Sequence, residues 1–386
     1  MRERTEWLPY GKQTLDDADI QAVVEVLRSD YLTTGAKIPE FEAAFAEYVG
    51  AQYAVAVANG TAALHAAAFV AGIGVGDEVI TTPITFAATA NCLLYLGARP
   101  VFADILEDTY QIDPEQVRTK ITRKTKALLP VHFTGQPVDL KRIHDLAAEY
   151  NLLVIEDAAH ALGATYHGHR IGSCSDLTTF SFHPVKQITT GEGGMITTND
   201  SVFYQQLLEF RTHGITRNPE LLSRDEGAWY YEQQSLGYNY RLTDLQAALG
   251  LSQLKKSDQF LKRRREIANT YQQALAGLKG LILPTLAAAI VSSWHLYIIR
   301  LNPKVVKVSR RQIFEELRAR KIGVNVHYLP VYAHPYYQSL GYPKGLCPYA
   351  EAFYETALTL PLFPAMTEQD VTDVIEAVSE VIVAAT

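Results

Sequence analysis

Between about residues 40 and 200 the chain alternates short apolar runs with helix-like stretches. Runs at 53–58, 78–81, 100–103, 127–131, 152–156, 177–182 and 194–198 read as strands, and several are almost wholly apolar. A strand buried on both faces reads that way. Helical patterns at 62–70 and 140–150 lie between them. Such alternation calls for a mainly parallel sheet covered by helices on both faces. Seven runs make one large sheet, and an open sheet of this kind binds ligands at the carboxyl ends of its strands.

The pattern changes after residue 200. Residues 242–276 form a long helix-like segment expected to bridge two domains, and 277–284 read as a Gly/Pro-containing linker. A smaller α+β unit comes next: a strand at 294–301, a helix at 309–321 capped by Ser309, a strand at 324–328 and a last helix at 367–384. The expected division is an N-terminal segment, 1–30, packing on the small domain, a large domain, 31–250, and a connecting helix with the small domain, 251–386. With 386 residues, two domains is the ordinary expectation.

Composition removes several alternatives. Lys+Arg number 35 against 42 Asp+Glu, a net charge of −7, which argues against an electrostatic nucleic-acid binder. Hydrophobic residues at 48% are too many for a disordered chain. Cys92, Cys174 and Cys347 are far apart and form no CxxC, so a disulfide scaffold or zinc ribbon is not expected and a reducing compartment fits. The start, MRERTEWLPYGK, has no apolar signal-peptide core. The apolar stretch 281–299 is broken by Pro284, two serines and His295 and is too short for a membrane span, which needs ~20 apolar residues. The reading is a cytoplasmic protein with no membrane or nucleic-acid partner.

Four pieces carry chemistry, and each alone has an ordinary structural explanation. Asn59-Gly60-Thr61-Ala62-Ala63-Leu64 follows the first strand; a helix starting there offers free N–H groups to an anion, or is a plain glycine turn with a Thr cap. Asp157 ends the run LLVIED at the sheet's ligand edge, or caps a following helix. Lys186, in SFHPVK, follows another strand. A lysine desolvated beside an apolar strand end loses its proton more easily and becomes a nucleophile for carbonyls; the ordinary alternative is a solvated surface lysine. TTGEGG, 189–194, matches neither the P-loop nor the GxGxxG spacing and reads as a tight turn reversing the chain.

Together these pieces describe a pyridoxal 5′-phosphate site, which needs a lysine for the aldehyde, an acid for the pyridine nitrogen and a phosphate cradle. Lys186, Asp157, and Gly60, Thr61 and Ala62 with Ser181 supply them. Phe86, in TPITFAAT, could stack on the ring or be a core phenylalanine.

The motifs LTTG, NGTAALH, GDEVITTPITF, EDAAHALGA, FSFHPVK, TTGEGG and GYNYRLTDLQAALG resemble, as a set, the DegT/DnrJ/EryC1/StrS sugar aminotransferases, over residues 10–378. The resemblance implies an α/β fold of the PLP-dependent transferase type I (aspartate aminotransferase-like), with pyridoxal 5′-phosphate covalently held on Lys186. It implies a homodimer with shared sites. Within the family the chain is most similar to the 4-aminotransferases of pseudaminic acid biosynthesis, through YGKQ, SDYLTTG, TPITFAATAN, FHPVKQITTGEGG and VNVHYLPVY. The implied reaction moves an amino group from L-glutamate to C4 of a UDP-linked 4-keto-6-deoxy-N-acetylhexosamine, giving UDP-4-amino-4,6-dideoxy-N-acetyl-β-L-altrosamine.

The resemblance also assigns roles. Lys186 and Asp157 would be catalytic, Phe86 would face the ring, and Gly60, Thr61, Ala62 and Ser181 would hold the phosphate. Gly60 and Ser181 would also border the substrate. Asn239 would reach the neighbouring subunit's cofactor phosphate and substrate. Tyr10, Leu32, Thr33, Thr34, Gly35, Asn325, Val326, His327 and Tyr328 would contact the nucleotide sugar. His160 stands where many relatives carry glutamine, beside the cofactor's phenolic oxygen. The aminoarabinose branch would have tryptophan at Phe86 and lysine at Asn239, and the sister dehydratases histidine at Lys186. A transaminase for another nucleotide-linked 4-keto or 3-keto sugar (perosamine- or aminoarabinose-type) is the alternative, and a non-catalytic cofactor-binding regulator a third reading. No metal site is expected: His160, His167 and His169 have no carboxylate or thiol at ligand spacing. His327 and His334 read as substrate contact or plain structure, and the run 262–265 as a solvated helix face.

Overall fold

A computed structural model describes residues 4–224 and 226–386; residues 1–3 of the expected N-terminal segment lie outside it. The seven expected strands form one sheet. In chain order they are β1 (Tyr53–Val57), β2 (Glu78–Thr81), β3 (Arg99–Phe102), β4 (Thr125–Leu129) and β5 (Leu153–Asp157), then β8 (Leu177–Ser181) and β9 (Gly194–Thr198) after a small hairpin of β6 (Thr165–Tyr166) and β7 (His169–Arg170). The spatial order is β1-β9-β8-β5-β4-β2-β3. Only β9 runs against the rest, pairing antiparallel with β1 and β8. The fold is the mixed α/β, mainly parallel architecture read from the sequence.

Alternation within each strand explains the two cores. Ala54, Ala56, Ile80, Leu128, Val154, Phe180 and Met195 face one helical layer, which includes Phe41, Phe45 and Ile143. Val55, Val57, Val79, Ala127, Leu129, Ile155, Leu177 and Ile196 face the other, with Ala63, Ala67, Leu93 and Phe210. With apolar side chains on both faces, the strands bury two layers at about 25 cal/mol per Å² of apolar surface. A third core surrounds a three-stranded sheet of Leu281–Ile282, Tyr297–Leu301 and Ala357–Leu360 under the helices Ser257–Leu275, Arg310–Ala319 and Glu368–Ala385. Leu8 enters that core, and its carbonyl accepts the Gly323 N–H at 2.7 Å.

Four expectations are corrected here. The segment 242–276 is two helices, Asp244–Leu254 and Ser257–Leu275, because the Ser257 hydroxyl takes the Leu254 carbonyl at 2.8 Å and breaks the ladder. The strand expected at 294–301 begins only at Tyr297: Trp294 is left-handed (φ 48°) and the His295 N–H donates to Thr134 instead. Residues 324–328 form no strand beyond one bridge between Asn325 and Thr359, because the Asn325 side chain takes the Val326 N–H. Of the run 262–265, only Lys262 is exposed as a solvated face would be. Arg264 is wholly buried, while Arg263 and Arg265 are half-buried, since the helix turns that edge onto the small sheet. Both helices form as read, the first capped by Ser309 as expected; each carries a capping box, the second on Thr367. No helix among the described residues is long and apolar enough to cross a membrane.

Candidate active site

Because β1, β5 and β8 run in one direction, the residues just past their ends emerge at one sheet edge, and reversed β9 starts there. A cavity of about 930 Å³ lies at that edge, closed on its far side by residues of the 325–334 segment. Asn59, Gly60, Thr61, Ala62, Phe86, Asp157, His160, Ser181, Lys186 and Tyr10 all line it, with Asn325, Val326, His327 and Tyr328.

Asp157 ends β5 and is buried. Its carboxylate accepts the Thr89 hydroxyl at 2.7 Å and the Ala159 N–H at 3.1 Å. Thr89 spends its proton there, so the Thr85 hydroxyl 2.7 Å away donates to Thr89. No helix follows Asp157, which excludes the helix-cap explanation; it serves a turn and faces the cavity. Behind it, Glu156 points to the opposite face of the sheet and is wholly buried with His132, 2.5 Å away. The His132 Nδ1 accepts the Val138 N–H at 3.1 Å, so its Nε2 carries the proton towards Glu156. Burial raises the Glu156 pKa, but the bonds from His132 and Ser175 outweigh it and hold the group below its ordinary value.

The helix Gly60–Val70 starts where β1 ends, capped by Asn59, whose side chain accepts the Ala62 N–H at 2.8 Å. The Ala62 N–H is therefore already taken, and the free donors at the cradle are the N–H groups of Gly60 and Thr61. A Cβ on Gly60 would stand 2.9 Å from the Ser181 Cβ. One on Gly194 would stand 2.5 Å from the Asn59 carbonyl, so the glycines of TTGEGG let reversed β9 approach the cradle. The turn reverses the chain as read from the sequence, with Gly191 at φ 79°.

Lys186 lies between β8 and β9 and reaches the same cavity. Burial pushes its amine down to about 8, against the Asp157 carboxylate, which pulls it up. Phe86 is 63% exposed, so it is a cleft residue and not a core one, with its ring 6.3 Å from that of Tyr328. His327 bonds the Thr359 hydroxyl at 2.8 Å, and burial with the nearby Lys186 drives its pKa to about 3. The Tyr10 ring lies tilted against that of His327, centroids 5.2 Å apart.

Leu32, Thr33, Thr34, Gly35 and Asn239 do not line this cavity. The Gly35 and Lys37 N–H groups bind the Asp244 carboxylate at 2.8 and 2.9 Å, and Asn239 pairs with Thr212. His167 and His169 sit on the small hairpin or its turn, whereas His160 is buried at the cavity. Sequence reasoning missed Thr85, Thr89, Tyr95, His183, Glu192, Tyr240 and His295, all at the cavity, and the buried Arg264 behind it. TPITFAAT carries Thr85 and Thr89, and His183, Glu192 and Tyr240 lie in FSFHPVK, TTGEGG and GYNYRL, so these five could have been found from the motifs; Tyr95, His295 and Arg264 come from segments without motif character.

The model of the DegT/DnrJ/EryC1/StrS aminotransferase family matches residues 13–379. The chain belongs to that family. It is 44% identical over 384 residues to the spore coat polysaccharide biosynthesis protein SpsC of Bacillus subtilis, 99% of each chain being covered. Helicobacter pylori PseC, an aminotransferase in the biosynthesis of pseudoaminic acid, superposes with a TM-score of 0.92 at 34% identity, covering 98% of this chain and 100% of that one. The putative sugar aminotransferase Spr1654 of Streptococcus pneumoniae has been solved in a PLP-form, which matches with a TM-score of 0.91 at 32% identity over 98% of this chain and 100% of that one, and in a PMP-form. The fold is that of the type I PLP-dependent aminotransferases. The donor set at this sheet edge also fits the expected pyridoxal 5′-phosphate: an amine with a depressed pKa, a buried carboxylate and a glycine-lined helix start, all on one cavity.

Proposed function

We propose that this protein transfers an amino group from L-glutamate to the 4-keto carbon of a UDP-linked 6-deoxy-N-acetylhexosamine, giving UDP-4-amino-4,6-dideoxy-N-acetyl-β-L-altrosamine. The observation that carries the reading is Lys186 and Asp157 on one cavity, the amine desolvated and the carboxylate held by two hydrogen bonds. The likeness to PseC supports the sugar.

In this reading residues 31–250 form the cofactor-binding unit and 251–386 the small domain closing on it. Lys186 is the covalent attachment point of the cofactor. The Asp157 carboxylate would accept a hydrogen bond from the ring N–H and so keep the ring nitrogen protonated, and Phe86 would pack on the ring face. The free N–H groups of Gly60 and Thr61, with the Thr61 and Ser181 hydroxyls, hold the phosphate at the positive end of the helix dipole; Ala62 shapes the cradle. His160 sits beside the phenolic oxygen. When bound, pyridoxal phosphate supplies an electron-accepting ring for the reacting carbon. Thr85 and Thr89 fix the Asp157 carboxylate so that it needs no rearrangement. The Lys186 Nζ, neutral at little cost near its depressed pKa, takes the proton from the donor's α-carbon as base and returns one as acid. Tyr10, Asn325, Val326, His327 and Tyr328 orient the sugar. Leu32, Thr33, Thr34, Gly35 and Asn239, away from this cavity, serve the site of a second subunit in a homodimer.

Borohydride reduction of the cofactor-loaded protein and peptide mapping tests the chemistry: the label is expected on Lys186, and a label elsewhere sinks the reading. SpsC is more similar in sequence than PseC, 44% against 34%, and this favours a second reading, a transaminase for another nucleotide-linked keto sugar. A panel of UDP- and dTDP-linked 4-keto and 3-keto sugars with L-glutamate, and NMR of the product, separates the two. A spectral response to glutamate alone would exclude the non-catalytic regulator.

A further inference from the structure

His295 has no role in the reading above, yet its ring is packed against the ring of His160, centroids 4.2 Å apart and tilted by 41°. Both side chains are buried, and the Nδ1 of each is without a hydrogen-bond partner among the described residues. Their backbones are pinned from three directions. The His160 carbonyl accepts from the Ser293 hydroxyl at 2.6 Å and from the Gln187 amide. The Ser293 and His295 N–H groups donate to Gly135 and Thr134, at 3.0 and 2.8 Å. From the far side, the wholly buried Arg264 donates to the carbonyls of Trp294, His295 and Leu362, at 3.3, 3.4 and 2.9 Å, and has no carboxylate partner among the described residues. A buried guanidinium bonded only to main-chain carbonyls is costly to place, and here its bonds fix the turn from which His295 projects.

We propose that His295 is a positioning residue: anchored by Arg264 and packed against His160, it holds the His160 ring in one orientation, as a neutral hydrogen-bonding group at the cofactor cavity. The groups facing the pair support neutrality. Lys186 and His327 act on both rings, Arg264 acts on His295, the Tyr328 hydroxyl lies 3.4 Å from the His160 Nε2, and no carboxylate among the described residues pairs with either ring. Burial and these cationic neighbours push both histidines well below their ordinary pKa. A neutral ring keeps one nitrogen as donor and one as acceptor. The His295 ring, the nearest ring to His160 at 4.2 Å against 6.2 Å for Phe133 and 6.3 Å for Tyr328, sets where they point, because among the described residues the one hydrogen-bond contact of the His160 ring nitrogens is the long one to Tyr328.

The inference rests on the cavity being the cofactor site, and its test keeps the two apart. In the full-length holoenzyme, the pH at which the visible absorbance changes is measured for wild type, His295→Asn, His160→Gln and the double variant. His295→Asn is expected to move the midpoint by ~0.5 pH unit or more, about threefold in proton affinity. Acting through His160, it should move it little further in the His160→Gln background. His295→Phe, which keeps a ring against His160, should restore the wild-type midpoint. Equal shifts in both backgrounds, or none, would overturn the proposal. A measurement that needs no variant at position 295 is the ¹⁵N signature of His160, identified by the signal lost in His160→Gln. One neutral tautomer from about pH 6 to 8.5 is expected, and a protonated or tautomer-averaged ring would also overturn it. If borohydride labelling misses Lys186 while these outcomes hold, the cofactor reading falls and the histidine pair stands.

Discussion

The two walls of the cavity are built on opposite principles. On the wall made by the large sheet, Asp157 is held by Thr89 and Ala159, and behind it, on the other face of the sheet, Glu156 holds His132. On the wall that includes His160, His295 and His327, titratable rings are buried with few partners or none, and burial drives them neutral. A carboxylate that must stay in one place is fixed by donors, at net stability. A ring that must stay uncharged is fixed by packing and by the absence of counter-ions. Lys186 lies between them, drawn down by burial and up by Asp157.

The largest expected effect breaks the link between the walls. Lys186→Ala should lower turnover by ~10⁴-fold or more, since it removes both attachment and proton transfer. It should still bind the pyridoxamine form, measurable by absorbance after gel filtration. Turnover at a normal rate would remove Lys186 from the chemistry. Next, Glu156→Ala leaves the buried His132 N–H without its acceptor and should cost about 1–3 kcal/mol in urea unfolding. A loss under ~1 kcal/mol would mean that the large-sheet wall does not depend on its bonded pairs.

Gly60→Ala should weaken cofactor binding by roughly tenfold, or ~1.4 kcal/mol, because the new Cβ meets Ser181 at 2.9 Å. Titration of cofactor-free protein with pyridoxal phosphate checks this; unchanged affinity would move the phosphate away from that turn. The smallest effect is a displaced midpoint. The rate of covalent cofactor capture should rise with pH around 8, where the Lys186 amine loses its proton, and not around its ordinary 10.5. Stability moves in the same direction. The unfolded chain binds more protons between about 8 and 10.5, so this group's contribution to the stability of cofactor-free protein improves as pH rises through that window. A capture midpoint near 10.5 would show that the amine is solvated.

Residue order makes legible whatever is local. Almost wholly apolar runs mark seven strands, and turn and cap chemistry places the helix after Asn59, the reversal in TTGEGG and the cap at Ser309. Because parallel strands deliver the residues past their carboxyl ends to one edge, Gly60, Asp157, Ser181 and Lys186 could be grouped before any coordinates. The folded chain alone decided the rest. Arg264 sits in a run of basic residues that reads as solvated, and His295 carries no pattern of its own. Their neighbours, Leu362 and His160, are tens of residues away in the chain. Burial, partners and charge depend on contacts that cross such distances, and no local spacing records them.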